Sequence, residues 1–550
     1  MAGIFDRILA RVAYIHARNV FGAFTRSLNK VDAAQGASLA RALAVVRGGE
    51  WGRQRGLDRV STMADLRRAT PLQTYEDIRP FIDRVADGDT GALFSLGQRI
   101  HMFAMSSGTA SRPKRVPVPS AFVNDYKRGW NTFGVRMLTD HPDAILRGIL
   151  QSSGRYDESK SAAGIPCGAI TGLMARTQKG IVRRYYVAPA ELAHIVDVRA
   201  RQYAQMRFAV GRDVAFAVTA NPSTLINMAR IADQESERLI RDIRDGTLMP
   251  PGADEDVPGA ICAALKPDPA RARQLETLRT QHGRLAPRDY WRLSFVACWT
   301  GGTMGHYLPR LADWWGDVPV RDIGLLASEG RVTIPLDDDV AAGVLDVRSG
   351  VFEFIPVEQF DSPKPDTAGP REVEVGREYA VVLTNTTGLV RYRLDDIVRV
   401  EGWVGQSPLL RFMRRGGGVS SLAGEKLTES QVVAAMSAAC EGLGVKGIEY
   451  VLAARWGDPP CYELRAIAAD QDLGAAVDSA LCAQNDEYSS RRSSGRLGSV
   501  VVIPWQENDL RSFDAALIKA RGSAPEQYKR PCLLSDPEFF TKKSTHNPSP

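Results

Sequence analysis

"RRGGGVSSLAGEK", Arg414 to Lys426, carries four glycines and two serines in thirteen residues, and its reading divides the chain. Gly and Ser in that density leave the backbone without side-chain packing, so the stretch reads as a flexible joint. The sequence on either side changes character. Upstream, apolar runs such as "DAILRGILQSS", "VAFAVT" and "LSFVACWTGG" read as strands. They alternate with helix-patterned stretches such as "SAFVNDYKRGWNTFGVRML", with Ser120 as its N-cap, and "NPSTLINMARIADQESERLIRDIRDG", one long helix stopped at Gly246. "EYAVVLTNTTGLVRYRLDDIVRVEGW" is dense in β-formers, with a turn at Thr386-Thr387-Gly388. Downstream, "TESQVVAAMSAACEGLG" opens with a capping box from Thr428 to Gln431, and strand and helix patterns follow.

The order predicts an α/β protein. A large N-terminal domain over 1–415 holds α/β sheets and a β-rich subdomain, a hinge spans 416–426, and a small mobile α+β domain spans 427–550. A chain of 550 residues exceeds what one hydrophobic core organises, which agrees.

Composition is that of a globular protein, with 44% hydrophobic and 24% charged residues. The net charge of +6 permits an anionic ligand, and without a long basic tract it does not argue for nucleic acid. Seven scattered cysteines without a C-x-x-C suit reduced thiols in a cytoplasm better than a disulfide framework or zinc. No apolar run is long enough to span a bilayer, and Asp6, Arg7, Arg11 and Arg18 break up any signal-like start, so an amphipathic helix is expected there.

Four short stretches carry candidate chemistry. In "AMSSGTASRPKRVPV", Ala104 to Val118, small hydroxyls beside a glycine can turn backbone N–H groups toward an anion, and Lys114 and Arg115 add positive charge. Taken alone the run reads equally as a polar surface loop, and the mononucleotide pattern G-x-x-x-x-G-K-[ST] is absent. "LLASEG" puts Ser328 and Glu329 after an apolar strand, where a carboxylate can meet a metal-bound nucleotide; a helix N-terminal pair is the plain alternative. "GLVRYRLDD" ends in Asp395 and Asp396, and an acid there can accept from a ribose diol or sit in a turn. "PEQYKRP" offers Lys529, which across a joint can close over an anionic transition state or lie in solvent. Arg391, Arg393, Arg411, Arg414 and Arg415 can be solvent-facing strand residues, and several of them are expected to be.

Taken in order, "SSGTASRPKRVPV", "NPSTLINMARIADQESERLIRDIRDGTL", "WTGGTMGHYLPRLADWWGDVPVRDIGLLASEG", "LTNTTGLVRYRLDDIVRVEG", "FMRRGGGVSSLAGEKLTESQV" and "APEQYKRP" resemble the auxin-responsive acyl-acid amido synthetases. These are adenylate-forming enzymes of the indole-3-acetic acid-amido synthetase type. The likeness runs from about Ser106 to Pro531. It implies a ligase that activates a carboxylic acid with Mg-ATP as an acyl-adenylate, then passes the acyl group to an amine, usually an amino acid. A thiol acceptor, coenzyme A or a carrier protein, shares the first half of that reaction, and an inactive nucleotide-binding relative is the third reading.

By the resemblance, Ser106, Ser107 and Thr109 with Gly108 form the phosphate loop. Ser328 and Glu329 belong to the second nucleotide motif, with Glu329 the Mg²⁺ ligand and a catalytic residue. Asp396 matches the ribose-binding acid of "YRxGD", Arg414 a phosphate or ribose contact, and Lys529 the catalytic lysine of "QYK". Thr303 and Met304 fall near the acyl pocket. Three positions depart from the family pattern. Leu325 stands for the aromatic residue on the adenine, with Ala327 two residues further on in that motif. Asp395 replaces the glycine before the ribose acid, and Gly416-Gly417-Gly418 replaces a Lys-Asn stretch.

Overall fold

The computed structural model describes residues 17–106, 114–178, 180–252, 259–263, 265–360, 362–416, 418–445, 448–467, 470–521 and 530–540. The chain splits into two compact units. Among the described residues, one holds 17–106 and Arg115–Arg414, and the other holds Arg415 onward.

In the first unit, β1 (Ile100–Ser106) lies between β2 (Lys114–Pro119) and β5 (Pro166–Gly168), and β4 (Ser159–Lys160) follows β5 in the same sheet. β1 and β5 run parallel, with Ala104 opposite Gly168. A second sheet is wholly parallel. Its order is β3 (Gly148–Gln151), β6 (Val214–Val218), β7 (Phe295–Cys298) and β8 (Val320–Asp322). Every residue of β6 and β7 is buried, which is why these strands read as unbroken apolar runs rather than alternating ones.

A short hairpin of β9 (Leu326–Ala327) and β10 (Gly330–Arg331) precedes a six-stranded sheet. The strands of that sheet are β11 (Thr333–Ile334), β12 (Ala342–Leu345), β13 (Val351–Pro356), β14 (Glu378–Thr384), β15 (Tyr392–Val404) and β16 (Ser407–Arg415). Their spatial order is β11-β12-β16-β15-β14-β13. The largest core cluster joins Leu39, Trp51 and Ile78 from the first hundred residues to Phe103 of β1 and to Phe352, Val381 and Tyr392 of the large sheet. Burial of such side chains stabilises by roughly 1.5–3 kcal/mol each.

Three local expectations need correction. The helix beginning at Ser120 has Pro119 as its cap, so Ser120 is the first helical residue; its hydroxyl lies 2.9 Å from His101 Nε2. The long helix is two, Pro222–Gln234 and Ser236–Asp245, broken at Glu235 with φ −99° and ψ 20°. Gly246 does end it, at φ 72°, in the left-handed region glycine enters freely. Arg391 is not solvent-facing: it donates from Nε and Nη2 to Glu353 at 2.9 and 3.0 Å, both side chains nearly fully buried.

In the second unit, β17 (Val419–Ser420) pairs with β18 (Leu427–Thr428). β21 (Val501–Trp505), β20 (Cys461–Ile467), β19 (Tyr450–Arg455) and β22 (Leu533–Leu534) make its main sheet. The Glu429–Leu443 helix has the expected capping box between Thr428 and Gln431. The glycine-rich stretch is pinned at its far end. Glu425, fully buried, accepts from the backbone N–H of Leu422 and Ala423, each at 2.7 Å, and from the Tyr462 hydroxyl.

Candidate functional site

The β9–β10 hairpin turns through two residues only, Ser328 and Glu329, with Ala327 opposite Gly330. The turn disposes of the helix N-terminus reading of this pair. Gly330 is required by close approach: a Cβ there would fall 2.9 Å from Asn385 Nδ2. Two bonds hold the turn in place. Ser328 Oγ donates to the Met105 carbonyl at 3.3 Å, and Asn385 Nδ2 donates to the Glu329 carbonyl at 2.6 Å. Asn385 is itself fixed, because its Oδ1 accepts from the Thr387 N–H at 3.0 Å and the Thr387 hydroxyl at 2.6 Å. "TNTTG" is the sequence mark of such an Asx turn, and Asn385 was legible in it.

The Glu329 side chain is buried, with 4% of the residue exposed, and nothing among the described residues bonds to its carboxylate. A carboxylate with little exposure and no protein partner among the described residues is placed to meet a bound cation. No group of three or more metal-ligating side chains occurs among the described residues. Magnesium commonly takes one or two carboxylates and completes its shell with water and substrate phosphate oxygens, so a single acid suits it. Leu325 and Ala327 are half-buried against the largest core cluster. The Leu325 N–H donates to Thr333 Oγ1 at 2.8 Å, and its carbonyl accepts from Val332 N–H at 2.8 Å.

Asp322, at the end of β8, ties this hairpin to β7. Its Oδ2 accepts from the N–H and hydroxyl of Thr300, each at 2.7 Å, and its Oδ1 from Gly324 N–H at 2.6 Å. Trp299 Nε1 donates to the Gly324 carbonyl at 2.9 Å. Burial pushes the Asp322 carboxyl up, and the hydrogen bonds from Thr300 and Gly324 oppose it only in part. Asp322 carried no sequence expectation; an acid closing an apolar strand before a glycine was its only mark. Met304 is buried and lies in the 3₁₀ turn Gly302–Tyr307 with the Thr303 backbone.

Asp395 and Asp396 sit inside β15 rather than in a turn. They lie in a bulge, since Ala380 pairs with Ile397 while Val382 pairs with Arg393. Asp395 has φ 60° there, so the position that is glycine in the resembled motif demands a left-handed backbone, which Asp tolerates better than most residues. Asp396 is buried. Arg414 is exposed and paired with Glu378 at 2.5 Å. The residues brought into contact are therefore those of the Ser328–Glu329 turn and the end of β1, next to Ser106. No bond links Arg414 to them among the described residues. Ser107, Gly108, Thr109 and Lys529 lie outside the described residues, as do the side chains of Ser106 and Thr303.

A cavity of about 370 Å³ opens elsewhere in the first unit. It is bounded by Gln151 at the end of β3, by Gly172, Ala175 and Arg176 of the Ile170–Arg176 helix, and by Gln205 of the Val198–Val210 helix.

Three family models cover most of the chain: the GH3 family N-terminal domain over residues 20–320, the GH3 family central domain over 343–415 and the GH3 family C-terminal domain over 430–538. The chain is 26% identical over 546 residues to an indole-3-acetic acid-amido synthetase, GH3.8, of Oryza sativa subsp. indica, covering 92% of this chain and 89% of the relative. It is 27% identical over 450 residues to the jasmonoyl–L-amino acid synthetase JAR4 of Nicotiana attenuata, covering 78% and 77%. Among solved structures it is similar to the GH3.15 acyl acid amido synthetase, with a TM-score of 0.63, 20% identity, and coverage of 96% and 95%. At that identity the likeness speaks for the fold.

Proposed function

The chain belongs to the GH3 family, and on that premise we propose that it is an ATP-dependent acyl-acid amido synthetase. An oxygen of a carboxylic acid attacks the α-phosphorus of ATP. The bond to pyrophosphate breaks, and an acyl-adenylate forms. The nitrogen of an amine, of the amino acid class, then attacks the acyl carbon. A C–N bond forms, the C–O bond to AMP breaks, and the nitrogen loses a proton.

The observation that carries this reading is Glu329, little exposed and with its carboxylate unbonded among the described residues, in a turn that Ser328 ties to the end of β1. Glu329 would hold Mg²⁺, which when bound neutralises triphosphate charge. Ser106, Ser107, Gly108 and Thr109 would supply donors to the phosphates, Asp396 would accept from the ribose, and Lys529 would close over the adenylating phosphate. Leu325 and Ala327 would offer the adenine an aliphatic surface. Arg414 is the weakest of these roles, because Glu378 already neutralises it. Thr303 and Met304 would border the acid.

The partners proposed are small molecules. All seven cysteines are free, which supports a reducing, cytoplasmic setting. No helix among the described residues is long and apolar enough to cross a membrane.

The test is to incubate the protein with ATP, Mg²⁺, a panel of carboxylic acids and mixed amino acids, and to look for AMP and an amide by mass spectrometry. Coenzyme A in place of the amino acids separates amide from thioester formation. Absence of acid-dependent pyrophosphate exchange across the panel would refute adenylation. Lys529→Ala should slow exchange more than amide formation from supplied acyl-adenylate.

A further inference from the structure

We propose that Arg331 is a positioning residue for the Ser328–Glu329 turn: its buried guanidinium sets where the Glu329 carboxylate stands, and so how tightly the metal–nucleotide pair is held. The inference rests on the amido synthetase reading. Arg331 ends β10, two residues after Glu329, and is 2% exposed. Its Nη1 donates to the Ile323 carbonyl at 2.9 Å and to the Thr333 carbonyl at 3.1 Å. Ile323 directly follows β8, and Thr333 opens β11, so the two carbonyls flank the β9–β10 hairpin on its entering and leaving sides. One nitrogen therefore closes the base of the hairpin, while Ser328 Oγ and Asn385 Nδ2 hold its tip.

Stability does not account for the guanidinium. Arg321 and Arg391 are also buried, and each meets carboxylate: Arg321 reaches Asp338 at 2.6 Å and Asp140 at 2.7 Å, and Arg391 reaches Glu353 at 2.9 Å. Arg331 forms no ion pair among the described residues, and its Nε and Nη2 are buried without a hydrogen-bond partner. Burial pulls the group below its ordinary value, and Tyr126, Asp346 and Asp322 oppose this only through space. The Trp130 and Phe133 rings, 4.6 and 5.7 Å from the guanidinium carbon, offset part of the cost. An apolar side chain of similar length would be at least as stable there. What it could not do is hold the Ile323 and Thr333 carbonyls.

The helix Ser120–Asp140 leaves room for this side chain. Gly129 lies in its middle and is buried, at a place where glycine weakens a helix relative to alanine. A Cβ there would fall 2.8 Å from Arg331 Cδ and 3.1 Å from its Nε. The stem lies beside the two rings and has little freedom to yield, so the glycine reads as space kept for the arginine.

The experiment compares the full chain with Arg331→Met, Arg331→Lys and Gly129→Ala. Arg331→Met should keep a denaturant midpoint equal to wild type or higher. Its amide hydrogen exchange should quicken by about tenfold in peptides covering 324–333, with the rest of the chain unchanged. Manganese–ATP, titrated by electron paramagnetic resonance, should bind about tenfold more weakly. In pyrophosphate exchange, the Mg²⁺ concentration for half-maximal rate should rise by about the same tenfold, while KM for the acid stays within about twofold. Gly129→Ala should weaken manganese–ATP in the same sense without removing a charge. Combined with Arg331→Met it should add nothing, because the new methyl then displaces no guanidinium. Arg331→Lys, which keeps a charged donor on a shorter stem, should lose less than Arg331→Met and keeps the test open if the methionine variant does not fold.

Manganese–ATP affinity equal to wild type in Arg331→Met and Gly129→Ala overturns the inference. So does amide exchange that quickens equally in every peptide together with a lower midpoint, which marks a residue that only stabilises the fold. Absent pyrophosphate exchange in the unaltered protein instead refutes the amido synthetase reading, and the hairpin amides and manganese–ATP affinity still decide the role of Arg331.

Discussion

Asn385 Nδ2 donates a 2.6 Å hydrogen bond to the carbonyl of Glu329, across 56 residues of sequence. The bond joins the end of β14 to the hairpin turn that carries the candidate metal ligand. It is made by a side chain whose own oxygen is held by Thr387, so the donor cannot swing away without breaking two further bonds. Asn385→Ala should therefore loosen the turn more than the fold. The expected result is a loss of about 1–2 kcal/mol in denaturant unfolding and a fall of about tenfold or more in pyrophosphate exchange. An exchange rate equal to wild type would show that the turn does not need its brace.

Glu329→Gln separates activity from stability. Nothing among the described residues bonds to the Glu329 carboxylate, so the isosteric amide removes the charge without breaking a protein contact. The variant should unfold within about 0.5 kcal/mol of wild type, while exchange drops by about 100-fold. A destabilised Glu329→Gln would mean that the charge has a structural partner.

The bulge at Asp395 predicts opposite outcomes for two small residues. At φ 60° a Cβ is strained, and glycine is not. Asp395→Ala should cost about 1 kcal/mol, whereas Asp395→Gly should stay within about 0.5 kcal/mol of wild type. The Arg393 contact at 3.4 Å is partly exposed and contributes little to the difference. Thermal melts of the two variants side by side decide the matter.

The Arg391–Glu353 pair predicts a pH dependence. Burial raises the Glu353 carboxyl, but hydrogen bonds from Arg391, Thr367 and Arg67 outweigh it and hold the group below its ordinary value. A lowered folded value means that the stabilisation is fully present above the unfolded carboxyl value, about pH 4.3. It is lost as pH falls through the folded value. Denaturant midpoints should decline across that window, and Glu353→Gln should flatten the decline. Glu353→Ala should cost about 3–5 kcal/mol at neutral pH, because Arg391 is left buried without its anion.

The features readable from residue order alone were mostly local. "VAFAV" is a buried strand because an unbroken apolar run of five can bury both faces. The Thr428–Gln431 box starts a helix because its two side chains satisfy backbone donors three residues apart, and Gly246 ends one because its φ is 72°. The ordered motifs also spoke for the family, since their residue types and sequence order are readable without coordinates. The remaining features came from long-range packing. It broke the helix at Glu235, turned Arg391 inward to Glu353, and put Asn385 beneath Glu329. It also put Asp322 between Thr300 and Gly324. Each of these depends on a partner far along the chain or on the absence of one. Local propensity acts over a few residues, whereas a buried charge or acceptor is defined by everything that surrounds it.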